Sequence, residues 1–173
     1  MPTIFQIVLI GAFPALAIAA ALKDLTSYTI PNYISVALML IFFALAAATG
    51  MPLPGIGIHL AVGAGALIIG MAMFALGWIG GGDAKLLAGC CLWLGWPATQ
   101  DFLLDTVVAG GVFAVALLTL RAPLVRMHMP ATDGWAGRLL APGEPAPYGV
   151  AIAIGALLAF PAADLTRFVH TSY

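Results

Sequence analysis

Between Asp24 and Asp83 the chain passes through two long apolar runs without meeting a charged side chain. A run of about 20 apolar residues makes a helix long enough to cross the hydrocarbon of a bilayer. In lipid every backbone amide must find its partner within the protein, which selects helices or closed barrels. The rest of the chain is built the same way. Charged residues make up only 8% of it and hydrophobic residues 63%, where a soluble domain carries roughly 25% charged residues. That balance excludes a water-soluble globular domain, a disordered segment and a nucleic-acid binder working through a basic face. What is left is an all-α, polytopic membrane protein whose function sits among its helices or in short loops.

Six apolar stretches can be laid along the chain, at about residues 3–22, 33–49, 56–79, 84–96, 102–120 and 148–163. They read as six transmembrane helices of one integral-membrane domain covering residues 1–173. Ala19-Ala20-Ala21 looks like a signal-peptidase site, but no Lys or Arg precedes the first run and the run is too long for a signal segment. It is expected to be a retained helix. Gly63, Gly65 and Gly70 offer small surfaces for close helix packing in the third stretch. Cys90 and Cys91 are adjacent, which suits neither a disulfide nor half of a zinc site, so they read as small packing residues. Scattered His59, His128 and His170 lack ligand spacing, and no metal or cofactor is expected.

Basic residues orient the bundle. Lys23, Lys85, Arg121, Arg126 and Arg138 fall in the connections on one side, and Arg167 stands alone on the other. Lys and Arg favour the cytoplasmic side, so both termini are expected outside. Asp101, Asp105 and Asp164 then lie on the outer side. The fourth stretch is short, about 20 Å of helix against about 30 Å of hydrocarbon. The Gly80-Gly81-Gly82-Asp83 segment before it is therefore expected to lie below the cytoplasmic surface, beside a wet pocket that also reaches Ala84.

The same parity brings Asp24 and Asp83 to the cytoplasmic side. Ionisable residues at a membrane helix are functional candidates by default. Two acids at one depth resist ionising together and can share a proton, the ionised one taking a proton from water while its partner donates one. Three glycines allow close approach of backbone to a substrate, and Asp83 is expected to open its helix, where the dipole favours a carboxylate. Pro31 is expected to begin the second helix and Asn32 to cap it. Lys85 could orient Asp83, contact a substrate or simply snorkel to the interface. Taken singly, Asp24 beside Lys23 reads equally well as a solvated ion pair and Asp83 as a plain N-cap.

Asp24 with Ile30-Pro31-Asn32, then Gly80-Gly81-Gly82-Asp83-Ala84-Lys85, then Pro147-Tyr148-Gly149-Val150-Ala151 resemble the type IV prepilin peptidase family, most closely its short form found with tight-adherence pili. The resemblance implies an aspartic endopeptidase of the bacterial inner membrane. Such an enzyme removes the short basic leader of a prepilin at the cytoplasmic face, just before the apolar segment. It places the catalytic pair on Asp24 and Asp83. Members that also N-methylate carry paired C-x-x-C motifs, which this chain lacks. Many relatives have basic residues where this chain has Thr26, Ser27, Tyr28 and Thr29. Asp133 and Glu144, in the long fifth connection, are weaker acid candidates that could receive a basic leader. Met127, Met129 and Trp135 suggest that this connection lies on the membrane surface. The rival readings are an intramembrane aspartyl protease for other membrane substrates and a non-enzymatic proton-coupled carrier or assembly subunit.

Overall fold

Proline and glycine set the breaks between helices. The computed structural model describes residues 4–127, 133–163 and 165–166, and its regular structure there is entirely helical. The helices are α1 (Ile4–Ser27), α2 (Asn32–Thr49), α3 (Leu53–Ala75), α4 (Gly81–Leu94), α5 (Ala98–Arg121), α6 (Pro123–Arg126), α7 (Gly134–Leu139) and α8 (Tyr148–Ala159), followed by a 3-10 turn at Phe160–Ala162. Pro31 precedes α2 with φ of −64°, and Pro52 stands in the same place before α3. Gly50 closes α2 in the left-handed region at φ of 65°, and Met51 N–H reaches back to the Ala46 carbonyl. Such a C-terminal cap satisfies carbonyls that have no partner within the helix.

Several boundaries differ from the sequence reading, α3 for instance running over Leu53–Ala75 rather than 56–79, and two of them bear on the site. The first helix does not stop near Leu22 but continues to Ser27, so Asp24 lies inside its last turns. Hydroxyls hold that extension. Thr26 donates to the Leu22 carbonyl at 2.7 Å and Ser27 to the Lys23 carbonyl at 2.6 Å. The fourth helix begins at Gly81, ahead of Asp83, rather than after it.

Four helices, α1, α2, α3 and α5, are long and apolar enough to cross a membrane. The shorter α4 and α8 form the interior. α3 packs chiefly on α4, α5 on α8, and α1 on both α8 and α2, while α4 also meets α2 and α8. From Ala88 to Leu94 every residue of α4 is buried. Trp93 donates its indole N–H to the Leu38 carbonyl at 2.7 Å and tilts against Phe13. Cys90 and Cys91 are buried and unbonded, as packing residues should be. Large side chains such as Val8, Leu40, Ile68, Val107 and Leu118 instead point outward from the long helices. Apolar surface on that scale is unsuited to water and matches lipid.

Two glycines make the α3–α4 contact possible. A Cβ on Gly63 would lie 2.9 Å from the Leu92 Cβ, and one on Gly70 would lie 3.1 Å from the Ala84 Cβ. Gly65 plays no such part, since nothing lies within 4 Å of its Cβ position. His59 is buried against α4, with Nδ1 2.7 Å from the Leu92 carbonyl oxygen. Met129, His128, Asp164, Arg167 and His170 lie outside the described residues.

Candidate active site

A helix leaves its first amides without intrahelical partners and carries a positive dipole end there. The two innermost helices each direct such an end at a carboxylate. Asp24, 6% exposed, accepts the Gly149 N–H on Oδ2 at 2.7 Å. Gly149 is the second residue of α8. Asp83 is the third residue of α4, and its Oδ2 accepts the Gly80 N–H at 3.2 Å. Asp83 is therefore not the N-cap that the sequence suggested. Gly80 is the cap, it has no side chain to bond with, and Asp83 alone satisfies the turn by reaching back.

Gly80, Gly81 and Gly82 do not form an irregular break. Gly80 is extended, at φ of −73° and ψ of 150°, and the next two begin the helix. Their lack of a side chain matters for space. A Cβ on Gly80 would lie 2.9 Å from Asp83 Oδ2, and one on Gly82 would lie 3.0 Å from the Ile30 Cβ. Gly81 meets only the Phe74 ring, at ordinary contact distance. Ile30 also reaches the other acid. Its Cδ1 lies 2.9 Å from where a Gly149 Cβ would be, and Asp24 Cβ and Oδ2 are equally close to that point. One side chain thus wedges between the glycines that flank the two acids, and the acids are near enough for their charges to interact.

Other expected residues are placed differently. Pro31 is the N-cap of α2 and Asn32 its first residue, so Asn32 does not cap the helix. Its Oδ1 accepts the Lys85 ammonium at 2.8 Å. Lys85 therefore neither bonds Asp83 nor stands alone, but ties the start of α4 to the start of α2. Ala84 is buried against Gly70, so it does not line a wet pocket. Asp101 and Asp105 sit in the first turns of α5, whose other end carries Arg121. Asp133 caps α7 by position, and Glu144 offers its backbone carbonyl to Arg121 at 2.7 Å. Among the described residues no group of three or more His, Cys, Asp or Glu could hold a metal ion.

Several site neighbours escaped the residue-by-residue reading. Gly149 was visible only inside the Pro147-Tyr148-Gly149 motif, and nothing local marked Ile30 as the wedge. Tyr28 closes α1 at φ of 54°, with its N–H on the Asp24 carbonyl at 2.8 Å. Arg138 donates to the Thr26 carbonyl at 2.7 Å and lies over the Tyr28 ring. Burial holds the Tyr28 phenol above its ordinary value, so it stays a donor. Its hydroxyl and Asp83 Oδ1 are both shielded and have no hydrogen-bond partner among the described residues.

Lipid-facing helices around two helix starts, each met by a carboxylate, describe a membrane protein with a pair of acids at one end. A model of the type IV leader peptidase family matches residues 11–115, more than half of the chain and a span that includes Asp24 and Asp83. The chain belongs to that family, one of aspartic peptidases, which supports a protease. No curated protein and no solved structure matches the chain.

Proposed function

We propose that the chain is a prepilin leader peptidase, with Asp24 and Asp83 as its catalytic pair. The observation that carries this reading is that each carboxylate sits at a helix start, Asp83 at α4 and Asp24 at α8, with Ile30 between the glycines that flank them. In the proposed cycle one acid is ionised and the other protonated, as two close carboxylates sharing a proton require. The ionised member takes a proton from water, and the resulting hydroxide attacks the scissile carbonyl carbon. The other member donates its proton to the carbonyl oxygen. The tetrahedral intermediate then collapses: the C–N bond breaks, the proton taken from water passes to the departing amine, and the re-forming carbonyl returns the borrowed proton to its donor. Asp83 Oδ1 has no hydrogen-bond partner among the described residues but is shielded, so the site must admit water to it for the reaction.

The proposed setting is a single domain of six helices in the bacterial inner membrane, termini outside, with the acids facing the cytoplasm. Substrates are prepilins and pseudopilins with basic leaders, which the two acids would receive. N-methylation of the product is assigned elsewhere, because the chain has no C-x-x-C pair.

The test is an assay of purified protein in lipid against a prepilin and a signal-peptide remnant. Wild type is expected to cleave the prepilin alone. Asp24→Asn and Asp83→Asn should each lose activity by roughly 10³-fold or more, since members of one catalytic unit fail together. An untouched prepilin, or either variant cleaving at the wild-type rate, refutes the mechanism. Cleavage of the remnant instead favours an intramembrane protease with other clients.

A further inference from the structure

α2 and α3 are consecutive and joined by a tight turn, yet each packs on α4 and they scarcely touch each other. The gap between them is a groove of about 520 Å³, floored by α4. It runs from Asn32 to Phe43 along α2, about 16 Å at the rise of a helix. Its lining follows a helical seam. α3 contributes Leu60, Gly63, Ala64 and Leu67, and α4 contributes Lys85, Gly89 and Leu92, steps of three and four residues that keep one face towards a neighbour. Three such faces around an empty trough have the form of a bundle lacking one helix.

The groove is graded in polarity. Asn32, Ser35 and Lys85 lie at one end, and beyond them the lining is apolar or glycine. That polar end shares the first two turns of α2 and α4 with the candidate active site. Asn32 follows Ile30 and Pro31, and Lys85 lies two residues beyond Asp83. We propose that this groove binds the apolar segment of the substrate as a transmembrane helix, with its N-terminal end unwound at Asn32, Ser35 and Lys85 beside the two acids. This inference rests on the leader-peptidase reading and adds the site that holds the substrate's membrane segment.

Backbone chemistry favours that occupant. Deep in the groove no donor or acceptor is offered, so only a chain that satisfies its own amides can lie there, and a helix does. A peptide bond must leave the helix to be cut, which frees amide and carbonyl groups. The amide of Asn32, the hydroxyl of Ser35 and the ammonium of Lys85 are grouped where those groups need partners. The small side chain of Ala64, exposed on the groove wall, lets a helix approach closely. An acyl chain would use neither the polar end nor the helical spacing.

The experiment uses the full-length chain carrying Asp24→Asn, in vesicles of phosphatidylethanolamine and phosphatidylglycerol. The probe is a prepilin that retains its leader and apolar segment. A benzophenone amino acid is placed at Met39, at Leu67 or, as control, at Ile69 on the lipid-facing side of α3. Light is expected to cross-link the apolar segment from Met39 and Leu67 several-fold more than from Ile69. Equal yields at all three positions overturn the proposal, as do groove adducts with lipid or a second copy of the chain alone. In the chain with both aspartates, Ala64→Trp should raise KM for the prepilin about tenfold with kcat little changed, the signature of lost binding. An unchanged KM for the prepilin also overturns it. Cross-linking needs no cleavage, so groove adducts without proteolysis refute only the catalytic reading. Proteolysis without groove adducts refutes only the groove.

Discussion

Gly149 shows how little room surrounds the acids. A methyl group there would lie 2.9 Å from Asp24 Cβ, Asp24 Oδ2 and Ile30 Cδ1 at once. The N–H that bonds Asp24 would remain, so Gly149→Ala tests position without deleting a donor. Displacing a reacting group by about 1 Å can cost around 10²-fold in rate, and overpacking costs about 1–3 kcal/mol in stability. Gly149→Ala is therefore expected to lower kcat/KM about 10²-fold and to reduce the melting temperature in detergent. A variant with wild-type rates would show that the close fit at Asp24 has no catalytic role. At this scale the sequence displayed the acids themselves, because ionisable residues are conspicuous in an apolar chain. It did not display Gly149 or Ile30 as their neighbours, because α8 reaches α1 across most of the chain and that approach leaves no local pattern.

The elements were legible in kind and less so in their limits. Long uncharged runs cannot be other than helices in lipid, and the short fourth stretch was recognisable by length. Its start was misjudged because a run of glycines normally ends a helix. Here the contact of Gly82 with Ile30 and the bond from Gly80 to Asp83 hold those glycines in or against the first turn. The same competition appears among the glycines of α3, where spacing could not separate Gly63 and Gly70 at α4 from Gly65, which meets nothing. A contrasting pair tests whether such contacts govern stability. A Cβ on Gly155 would lie 2.7 Å from the Thr106 nitrogen and 2.9 Å from the Phe102 carbonyl oxygen, and backbone atoms cannot turn aside. Gly155→Ala should force α8 from α5 and destabilise the protein by about 1–3 kcal/mol. Gly111→Ala, also in the α5 region but facing open space, should be neutral or stabilising by about 0.5–1 kcal/mol through helix propensity. Thermal unfolding of both variants in one detergent decides it. Equal stabilities would mean that the α5–α8 seam yields freely.

Across the whole molecule, polar contacts gather at the end that holds the acids. Arg121, at the end of α5, donates to the Leu139 carbonyl at 2.9 Å and 2.7 Å and to the Glu144 carbonyl at 2.7 Å. Arg138 continues the strap to the α1 terminus through Thr26. Arg121 and Arg138 thus gather at one end of the bundle, where Lys85 also meets Asn32. Basic residues at one end are what fix the orientation of a multi-pass protein, and the proposed chemistry needs that end in the cytoplasm, where a leader awaits removal. Leu53, at the start of α3, lies at the opposite end from the acids and is 82% exposed. The Glu144 side chain is exposed at the acid end, its only described bond being made by the backbone carbonyl. The native Cys90 and Cys91 are buried and should stay silent. A membrane-impermeant maleimide added to spheroplasts is therefore expected to label Leu53→Cys at once and Glu144→Cys only after permeabilisation. The reverse pattern would put Asp24 and Asp83 outside, on the far side of the membrane from any leader, and no detail of the site could then sustain the proposed function.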